Sequence, residues 1–184
     1  MIRNMNLSEA RRESIEPGGY VCRVISTNVD EKYDRLQLQV DVTEGQNAGY
    51  FTRLNERYNF WGLTANLYMD EKSAWKFANA IDAFRNSNPD FTWNDDGEND
   101  EKTLVGKYIG VIAQRKHYLA NDGTKKSKLQ VYRLVPVDVI RENAFDVPED
   151  LYADELKNSA PVSGDVVDMS LPQGFMESAD EMPF

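Results

Sequence analysis

Two strand-like segments joined by a basic loop constrain the fold of this chain more than any other feature. The first segment covers residues 107–118, the second covers residues 128–134, and the loop between them contains Asn121-Asp122-Gly123. Asn-Asp-Gly supplies the positive-φ positions that a reversal between two antiparallel strands needs. Residues 107–133 hold seven lysines and arginines and one acid, which is a net charge of +6. We therefore expect a β-hairpin that presents an anion-binding surface.

The acidic residues are concentrated at the C-terminal end of the chain. The 184 residues carry a formal charge of −10; residues 1–140 hold 19 basic and 20 acidic groups, whereas residues 141–184 hold 2 basic and 11 acidic groups. Low hydrophobicity combined with a high density of like charges predicts disorder. We therefore divide the chain into an N-terminal extension (1–18), a folded domain (19–140) and an acidic, largely disordered tail (141–184).

Three strands are predicted before the hairpin. Residues 20–29 follow a Pro-Gly-Gly turn and contain several β-branched residues, and residues 35–42 alternate between apolar and polar side chains. A similar alternation over residues 50–58 predicts the third strand. On that strand we expect Phe51, Arg53, Asn55 and Arg57 to face outward, because two arginines would be costly in a core.

One helix is predicted between the third strand and the hairpin. Apolar side chains recur at helical spacing between residues 70 and 86, Asp70 is a suitable N-cap, and Pro89 follows the end of the pattern. The apolar stripe consists of Ala74, Phe77, Ala78, Ile81 and Phe84. After the helix, residues 94–101 form an acidic loop that we expect to lie in solvent.

The order of these elements favours a mainly β protein with a five-stranded OB-fold barrel. Runs of strands without regular β-α alternation favour antiparallel pairing, and one helix between strands 3 and 4 fits the OB fold. An SH3-like barrel is the alternative, although it does not normally carry a four-turn helix at that position. In the OB fold the ligand crosses strands 2 and 3, between the loop that joins strands 1 and 2 and the loop that joins strands 4 and 5. The basic loop occupies the second of these places.

Cationic and aromatic side chains recur on the loop and face that an OB fold would use for a ligand. Single-stranded nucleic acid is bound by cations along its backbone and by aromatic rings on which its bases stack, each base contributing roughly 1–3 kcal/mol. Taken singly, such an aromatic residue is more often part of a core, and a lysine pair more often part of a solvated turn, but their convergence favours a binding surface. The expected residues for binding single-stranded DNA (ssDNA) are Tyr33, Arg35, Phe51, Arg53, Arg57, Trp61, Arg115, Lys116, Tyr118, Lys125, Lys126, Lys128, Tyr132 and Arg133.

The sequence provides few residues for catalysis. With one histidine, His117, and one cysteine, Cys22, a Cys/His zinc site is not available. No P-loop or dinucleotide-binding fingerprint occurs, and the carboxylates of residues 95–101 lack the rigid strand ends that a two-metal nuclease needs. We therefore expect a protein that is not an enzyme and that uses no cofactor and no metal.

The last five residues resemble the acidic tip of bacterial single-stranded-DNA-binding proteins. Asp180-Glu181-Met182-Pro183-Phe184 matches a consensus of several aspartates followed by Ile-Pro-Phe, although Met182 replaces isoleucine and the acidic run has two residues. Residues 16–60 are similar to phage-encoded single-stranded-DNA-binding proteins of replication and recombination modules. The similarity lies in Glu16-Pro-Gly-Gly-Tyr-Val-Cys-Arg-Val, Arg35-Leu-Gln-Leu-Gln-Val-Asp-Val and a Gly45…Gly49-Tyr-Phe element. The acidic insertion at residues 94–101 is longer than in the bacterial family.

The resemblance implies that an OB domain coats ssDNA while the tip recruits genome-maintenance proteins. Met182, Pro183 and Phe184 would enter the partner's pocket, and Asp180 and Glu181 would face a basic rim. With no signal peptide or membrane-length apolar run in view and one cysteine, we expect the cytoplasm of a bacterial host.

We expect a non-catalytic protein that coats ssDNA without strong sequence preference in phage DNA replication, recombination and repair. Its expected partners are ssDNA, replication and recombination proteins bound through the tip, and further copies of the chain in an assembly of open size, with no membrane. One alternative is an OB-fold interaction or virion protein, or an acidic DNA mimic, that does not bind DNA. Another alternative is a metal-dependent nuclease.

Overall fold

The structure is a computed structural model that describes residues 14–157. It is mainly β, with a six-stranded mixed sheet and short helices. The elements in chain order are β1 (Gly18–Asp30), β2 (Arg35–Val42), α1 (Tyr50–Tyr58), β3 (Thr64–Tyr68), α2 (Ala74–Ser87), a 3-10 helix (Glu101–Leu104), β4 (Tyr108–Leu119), β5 (Lys125–Val135), α3 (Val137–Arg141), β6 (Leu151–Tyr152) and α4 (Asp154–Lys157).

The strands form one sheet in the order β3-β2-β1-β4-β5, and β6 pairs with β4 beyond the residues that pair with β1. Neighbours along the main path are antiparallel, whereas β6 runs parallel to β4. β1 is central because its first half, from Gly18 to Arg23, pairs with β4, and its second half, from Cys22 to Asp30, pairs with β2. The two halves of the sheet therefore share one long strand.

The sheet is open between its two end strands. Within residues 14–157 no hydrogen-bonded ladder joins β3 to β5, so the expected closed five-stranded barrel is not confirmed. α2, which lies between β3 and β4 in the chain, packs against β3, β4 and β5, and β3 and β5 have Cα atoms within 8 Å of each other. The helix therefore covers the side on which the end strands approach.

The predicted hydrophobic pattern of β2 and the predicted hairpin are confirmed. Leu36, Leu38, Val40 and Val42 are buried and form the core with side chains from β1, β4 and α2. The two hairpin limbs are β4 and β5, with β5 beginning three residues earlier than predicted, at Lys125. Period-2 alternation identifies β2 because one of its faces lies on the core, whereas the Asn121-Asp122-Gly123 reversal identifies the hairpin.

The third predicted strand, over residues 50–58, is wrong: these residues form helix α1. Asp41 of β2 is 4% exposed, and its carboxylate accepts hydrogen bonds from the backbone N–H groups of Phe51 (2.9 Å) and Thr52 (3.0 Å) and from the Thr52 hydroxyl. N–H groups in the first turn of a helix have no partner within the helix, so this carboxylate stabilises the helix from a neighbouring strand. The strand that pairs with β2 is β3, at Thr64–Tyr68.

The predicted helix is present as α2, but it starts later than expected. It begins at Ala74 after the N-cap residue Ser73, while Asp70 accepts a hydrogen bond from the Ser73 N–H (3.0 Å) in the preceding turn. Ile81 and Phe84 are buried as predicted. The buried face also contains Ala80 and Ala83, whereas Ala74 and Ala78 are exposed.

Residues from 140 onward continue the fold and cover the outer face of β1 and β4, that is, the face turned away from the core. Phe145 packs on Gly19, where a Cβ atom would lie 2.2 Å from Phe145 Cζ. Ile140 packs on Gly110, where a Cβ atom would lie 2.7 Å from Ile140 Cγ1. The sheet thus includes Leu151–Tyr152, which the sequence-based division assigned to the tail.

Candidate nucleic-acid interface

The β4–β5 hairpin presents a row of cationic side chains on its outer face. Lys116 is the cross-strand partner of Lys128, and Tyr118 is the partner of Lys126, so these four side chains share one face of the ribbon. The strands reverse through Ala120–Thr124, where Gly123 has a φ of 81°. Lys125 is exposed next to this reversal.

The Lys116–Lys128 pair places two positive charges directly opposite each other. Burial, together with the nearby charge of Lys116, lowers the pKa of Lys128 from 10.5 to about 8. Lys128 Nζ lies 5.8 Å from the centre of the Tyr118 ring, and no carboxylate within residues 14–157 forms an ion pair with Lys128. Like charges opposite each other in a ladder are destabilising. An incoming anion would therefore relieve a repulsion that is present in the unbound protein.

A β-bulge turns Tyr132 outward further along β5. Ile112 pairs with Arg133 and Ala113 pairs with Val131, so Tyr132 is the extra residue between these two pairs. β-bulges redirect side chains in this way. Tyr132 is 56% exposed and Arg133 is also exposed, so both predicted site residues are accessible to a ligand.

Arg115 lies on the opposite side of β4 from the lysine row. Its Nη2 atom is 3.4 Å from both the carbonyl oxygen of Ile15 and Glu16 Oε2, and its Nη1 atom is 3.5 Å from Ser127 Oγ. The guanidinium is therefore directed towards the segment before β1. Arg115 is not brought together with Lys116 and Lys128.

His117, the only histidine in the chain, contacts the strand β6. Its Nε2 atom is 2.7 Å from Asp150 Oδ2, and its ring stacks on Tyr152 with 4.6 Å between the ring centres. The backbone N–H of Ala153 donates to the carbonyl oxygen of His117 (2.9 Å). β6 is thus attached to the edge of β4 that β1 leaves unpaired.

Three of the predicted aromatic and cationic residues are parts of the protein interior. Phe51 is 2% exposed, and Trp61 Nε1 donates to the carbonyl oxygens of Val40 (3.2 Å) and Leu63 (2.9 Å) from a half-buried position. Arg35 is 4% exposed and forms an ion pair with Asp30 at 2.8 Å. These side chains stabilise the sheet, and Phe51 and Arg35 are not accessible to a ligand in this structure.

The remaining predicted residues lie away from the hairpin. Tyr33, in the loop between β1 and β2, is 38% exposed, with Lys32 Nζ 4.7 Å and Arg35 Cζ 4.9 Å from its ring centre. Arg53 and Arg57 are on the exposed side of α1, as expected, although that element is a helix. The structure thus distributes the predicted set over the hairpin, the β1–β2 loop and α1.

Sequence reasoning missed a band of polar side chains on the outer face of β1, β2 and β3. Ser26 Oγ donates to Gln39 Oε1 (2.7 Å), Asn28 Nδ2 donates to Gln37 Oε1 (3.0 Å), and Gln37 Nε2 donates to Asn66 Oδ1 (3.4 Å). The polar positions of β2 were visible in its alternation, but their partners depend on a register that spans distant parts of the chain.

The first carboxylate of the acidic loop, that of Asp95, forms an ion pair with helix α2 and not with the hairpin. Residues 94–100 are exposed, as predicted, and Asp95 Oδ1 forms an ion pair with Arg85 of α2 at 2.6 Å. The Asp100 side chain accepts from the Lys102 backbone N–H (2.9 Å) at the start of the 3-10 helix. Both interactions hold the loop beside α2 and the 3-10 helix.

Within the part of the chain that is described, no three His, Cys, Asp or Glu side chains are grouped to hold a metal ion. The helices in that part are too short or too polar to cross a bilayer. The predicted partner-binding tip, Asp180–Phe184, lies outside the described residues. Comparison of the chain with protein-family models and with curated proteins finds no match.

Proposed function

We propose that this chain binds single-stranded DNA through the β4–β5 hairpin and coats it without strong sequence preference. The observation that carries the proposal is the pairing of two like charges, Lys116 and Lys128, directly opposite each other beside Tyr118. A phosphate between the two ammonium groups would replace a repulsion with two attractions, and the neighbouring ring offers a base a stacking surface. Neither contact distinguishes one base from another, because every nucleotide has a phosphate and a π-face.

We also propose that the fold is an OB fold whose end strands do not pair. Three features support this proposal: the strand order β3-β2-β1-β4-β5, the sharing of β1 between two halves of the sheet, and the position of α2 between β3 and β4. OB folds bind oligonucleotides along strands 2 and 3, between two loops. One of those loops carries Tyr33 here, and the other is the basic reversal of the hairpin.

Binding is tested by titrating labelled dT30 with the full chain and following fluorescence anisotropy at several salt concentrations. The test variant is Lys116→Gln/Lys128→Gln, and the matched control is Lys72→Gln/Lys102→Gln, which removes the same charge from exposed lysines elsewhere. We expect the test variant to bind at least about tenfold more weakly, and its salt slope to fall by about 1.4, since each single-strand phosphate contact contributes about 0.7.

Three results of this titration would contradict the proposal. If the test variant and the wild type bind dT30 with equal affinity, the hairpin is not the binding site. Absence of binding by the wild type would favour a DNA mimic or another interaction protein. Shortening of the labelled strand when Mg²⁺ is added would favour a nuclease.

We further propose that Asp180–Phe184 recruits replication and recombination proteins, on the strength of its resemblance to the tip of single-stranded-DNA-binding proteins. The Phe184 ring fits an apolar pocket, and the side-chain carboxylates of Asp180 and Glu181 fit a basic rim around it. Deleting Phe184 should abolish recruitment of host DNA-processing proteins to the coated strand while leaving dT30 affinity unchanged. Recruitment that is unaffected by the deletion would contradict this role.

A further inference from the structure

A groove lies on the outer face where β1, β2 and β4 meet helix α1. Its volume is about 480 Å³. The side chains that line it and matter for its chemistry are those of Arg23, Asp41, Thr52, Arg53, Glu56 and Tyr108. Three of these residues, Arg23, Asp41 and Tyr108, are cross-strand neighbours in the sheet. None of them belongs to the ssDNA-binding set expected from the sequence.

Arg23 occupies the middle of a row that crosses three strands. Its cross-strand neighbours are Asp41 on β2 and Tyr108 on β4. An arginine next to an aspartate in a ladder normally forms an ion pair with it. Here the Asp41 oxygens already accept hydrogen bonds from the N–H groups of Phe51 and Thr52, and Asp41 is 4% exposed.

Arg23 therefore keeps an accessible charge. The side chain is exposed, and it makes no hydrogen bond or ion pair with any residue in the range 14–157. Arg53, on the neighbouring helix, lines the same groove, and its Nη1 atom donates to the carbonyl oxygen of Ala48 (2.7 Å), which holds the guanidinium at the rim. Two guanidinium groups that face one groove suit a phosphate, to which arginine binds with two parallel N–H donors.

The aromatic ring of Tyr108 lines the groove, and hydrogen bonds to Asn88 fix the backbone of this residue. Tyr108 is 45% exposed. Its backbone N–H donates to Asn88 Oδ1 (2.9 Å), and its carbonyl oxygen accepts from Asn88 Nδ2 (2.8 Å). Asn88, at the end of α2, is 5% exposed. An exposed ring whose backbone is held in this way loses little conformational freedom when a base stacks on it.

The groove is separate from the lysine row of the hairpin. Tyr108 and Lys116 lie on the same face of β4 but eight residues apart, a distance of roughly 27 Å at about 3.4 Å per residue. Between them, Ile140 covers Gly110 and the carbonyl oxygen of Glu149 accepts from Gln114 Nε2 (2.8 Å). A single nucleotide bound in the groove therefore does not contact Lys116.

We propose that this groove is a second site for single-stranded nucleic acid, with Arg23 and Arg53 on a phosphodiester and the Tyr108 ring against a base. The inference rests on the proposed ssDNA binding and adds a site that the hairpin does not include. Glu56 is the one acidic side chain of the lining that is exposed. Removing its charge therefore strengthens binding, whereas removing the charge of Arg23 weakens it.

The test compares Arg23→Gln, Tyr108→Ala and Glu56→Gln with the exposed control Lys102→Gln in the dT30 anisotropy titration. We expect Arg23→Gln to lower the affinity about tenfold and to reduce the salt slope by about 0.7. Tyr108→Ala should lower the affinity about fivefold or more without changing the slope, because it removes stacking and no charge. Glu56→Gln should raise the affinity.

A second measurement keeps this inference distinguishable from the hairpin proposal. Amide chemical shifts are followed during titration with dT6, with dTMP and with inorganic phosphate. If Arg23→Gln and Tyr108→Ala bind dT30 like the wild type while Lys116→Gln/Lys128→Gln does not, the groove inference is overturned and the hairpin proposal stands. The reverse result supports the groove and overturns the hairpin. If dTMP or phosphate shifts the signals of Arg23 and Tyr108 but dT6 does not, the groove is a site for a free nucleotide or anion, and the inference is overturned.

Discussion

The carboxylate of Asp41 accepts hydrogen bonds from both the backbone N–H and the hydroxyl of Thr52. One buried side chain on β2 thereby fixes the first turn of helix α1. The same contact occupies the carboxylate that would otherwise neutralise Arg23 across the ladder. A local folding requirement and the availability of an arginine for binding are therefore linked through one residue.

Replacing Asp41 with alanine should destabilise the protein by about 3 kcal/mol, because at least two buried N–H groups lose their partner. Asp41→Asn should cost less, since its amide oxygen still accepts one of these bonds. Urea unfolding followed by far-UV circular dichroism measures both changes. An exposed control, Asp82→Ala, should change the free energy of unfolding by less than about 1 kcal/mol. Equal costs for Asp41→Ala and Asp82→Ala would contradict the capping role.

Lys128 should make the stability of the protein depend on pH in alkaline solution. Its pKa in the folded state is about 8, below the ordinary value of 10.5, so the folded state disfavours the charged form. Below pH 8 Lys128 is charged in both states, so the folded state carries the full free-energy cost of the partly buried charge. Between pH 8 and 10.5 the folded state loses the proton while the unfolded state keeps it, so this destabilisation disappears as the pH rises. The pKa shift corresponds to at most about 3 kcal/mol, which partial exposure of the side chain reduces to about 1–2 kcal/mol.

Lys128→Met, which keeps the apolar stem of the side chain, isolates this effect. We expect it to stabilise the protein by about 1–2 kcal/mol at pH 7 and by much less at pH 10. Urea unfolding at the two pH values measures the difference, with Lys102→Met as the exposed control. A gain that is the same at both pH values would show that the charge of Lys128 is not its origin.

Gly19→Ala should destabilise the protein by about 1–3 kcal/mol, because the new methyl group overlaps the Phe145 ring. The same substitution in a Phe145→Ala background should cost less than about 1 kcal/mol. The four unfolding free energies form a double-mutant cycle. Equal costs of Gly19→Ala in the two backgrounds would show that Phe145 does not pack on β1.

Tyr152→Ala should release β6 from the edge of β4 without unfolding the sheet. The substitution removes the stack on His117, which we expect to contribute about 1 kcal/mol. Exchange of the Ala153 amide hydrogen, which is bonded to the His117 carbonyl oxygen, should then become about fivefold faster. Tyr132→Ala serves as the control because Tyr132 is remote from this bond. Unchanged exchange at Ala153 would contradict the role of the stack.

The parts of the fold that could be predicted from the sequence are those whose pattern is local. The alternation of Leu36, Leu38, Val40 and Val42 identifies β2 and its buried face, because one side of the strand meets the core. Residues 50–58 could not be assigned correctly because their helix depends on a carboxylate ten residues earlier, on another strand. Periodicity within residues 50–58 contains no information about that contact.

The candidate site was predicted in part for the same reason. The lysines of the hairpin are adjacent to a recognisable reversal, so their common surface follows from the sequence around residues 121–123. The burial of Arg35, Phe51 and Trp61 depends on tertiary packing. The row formed by Arg23, Asp41 and Tyr108 depends on the register of β1 against two strands, and composition does not specify a register.

Because both halves of the sheet share β1, we expect the two halves to unfold together. Strands β2 and β4 each lose their central partner if β1 leaves, so neither half is a separable unit. Thermal melting of the region from Gly18 to Val135 should proceed in a single all-or-none step. A chain cut within β1 should yield two fragments that are structureless apart and regain order only when mixed.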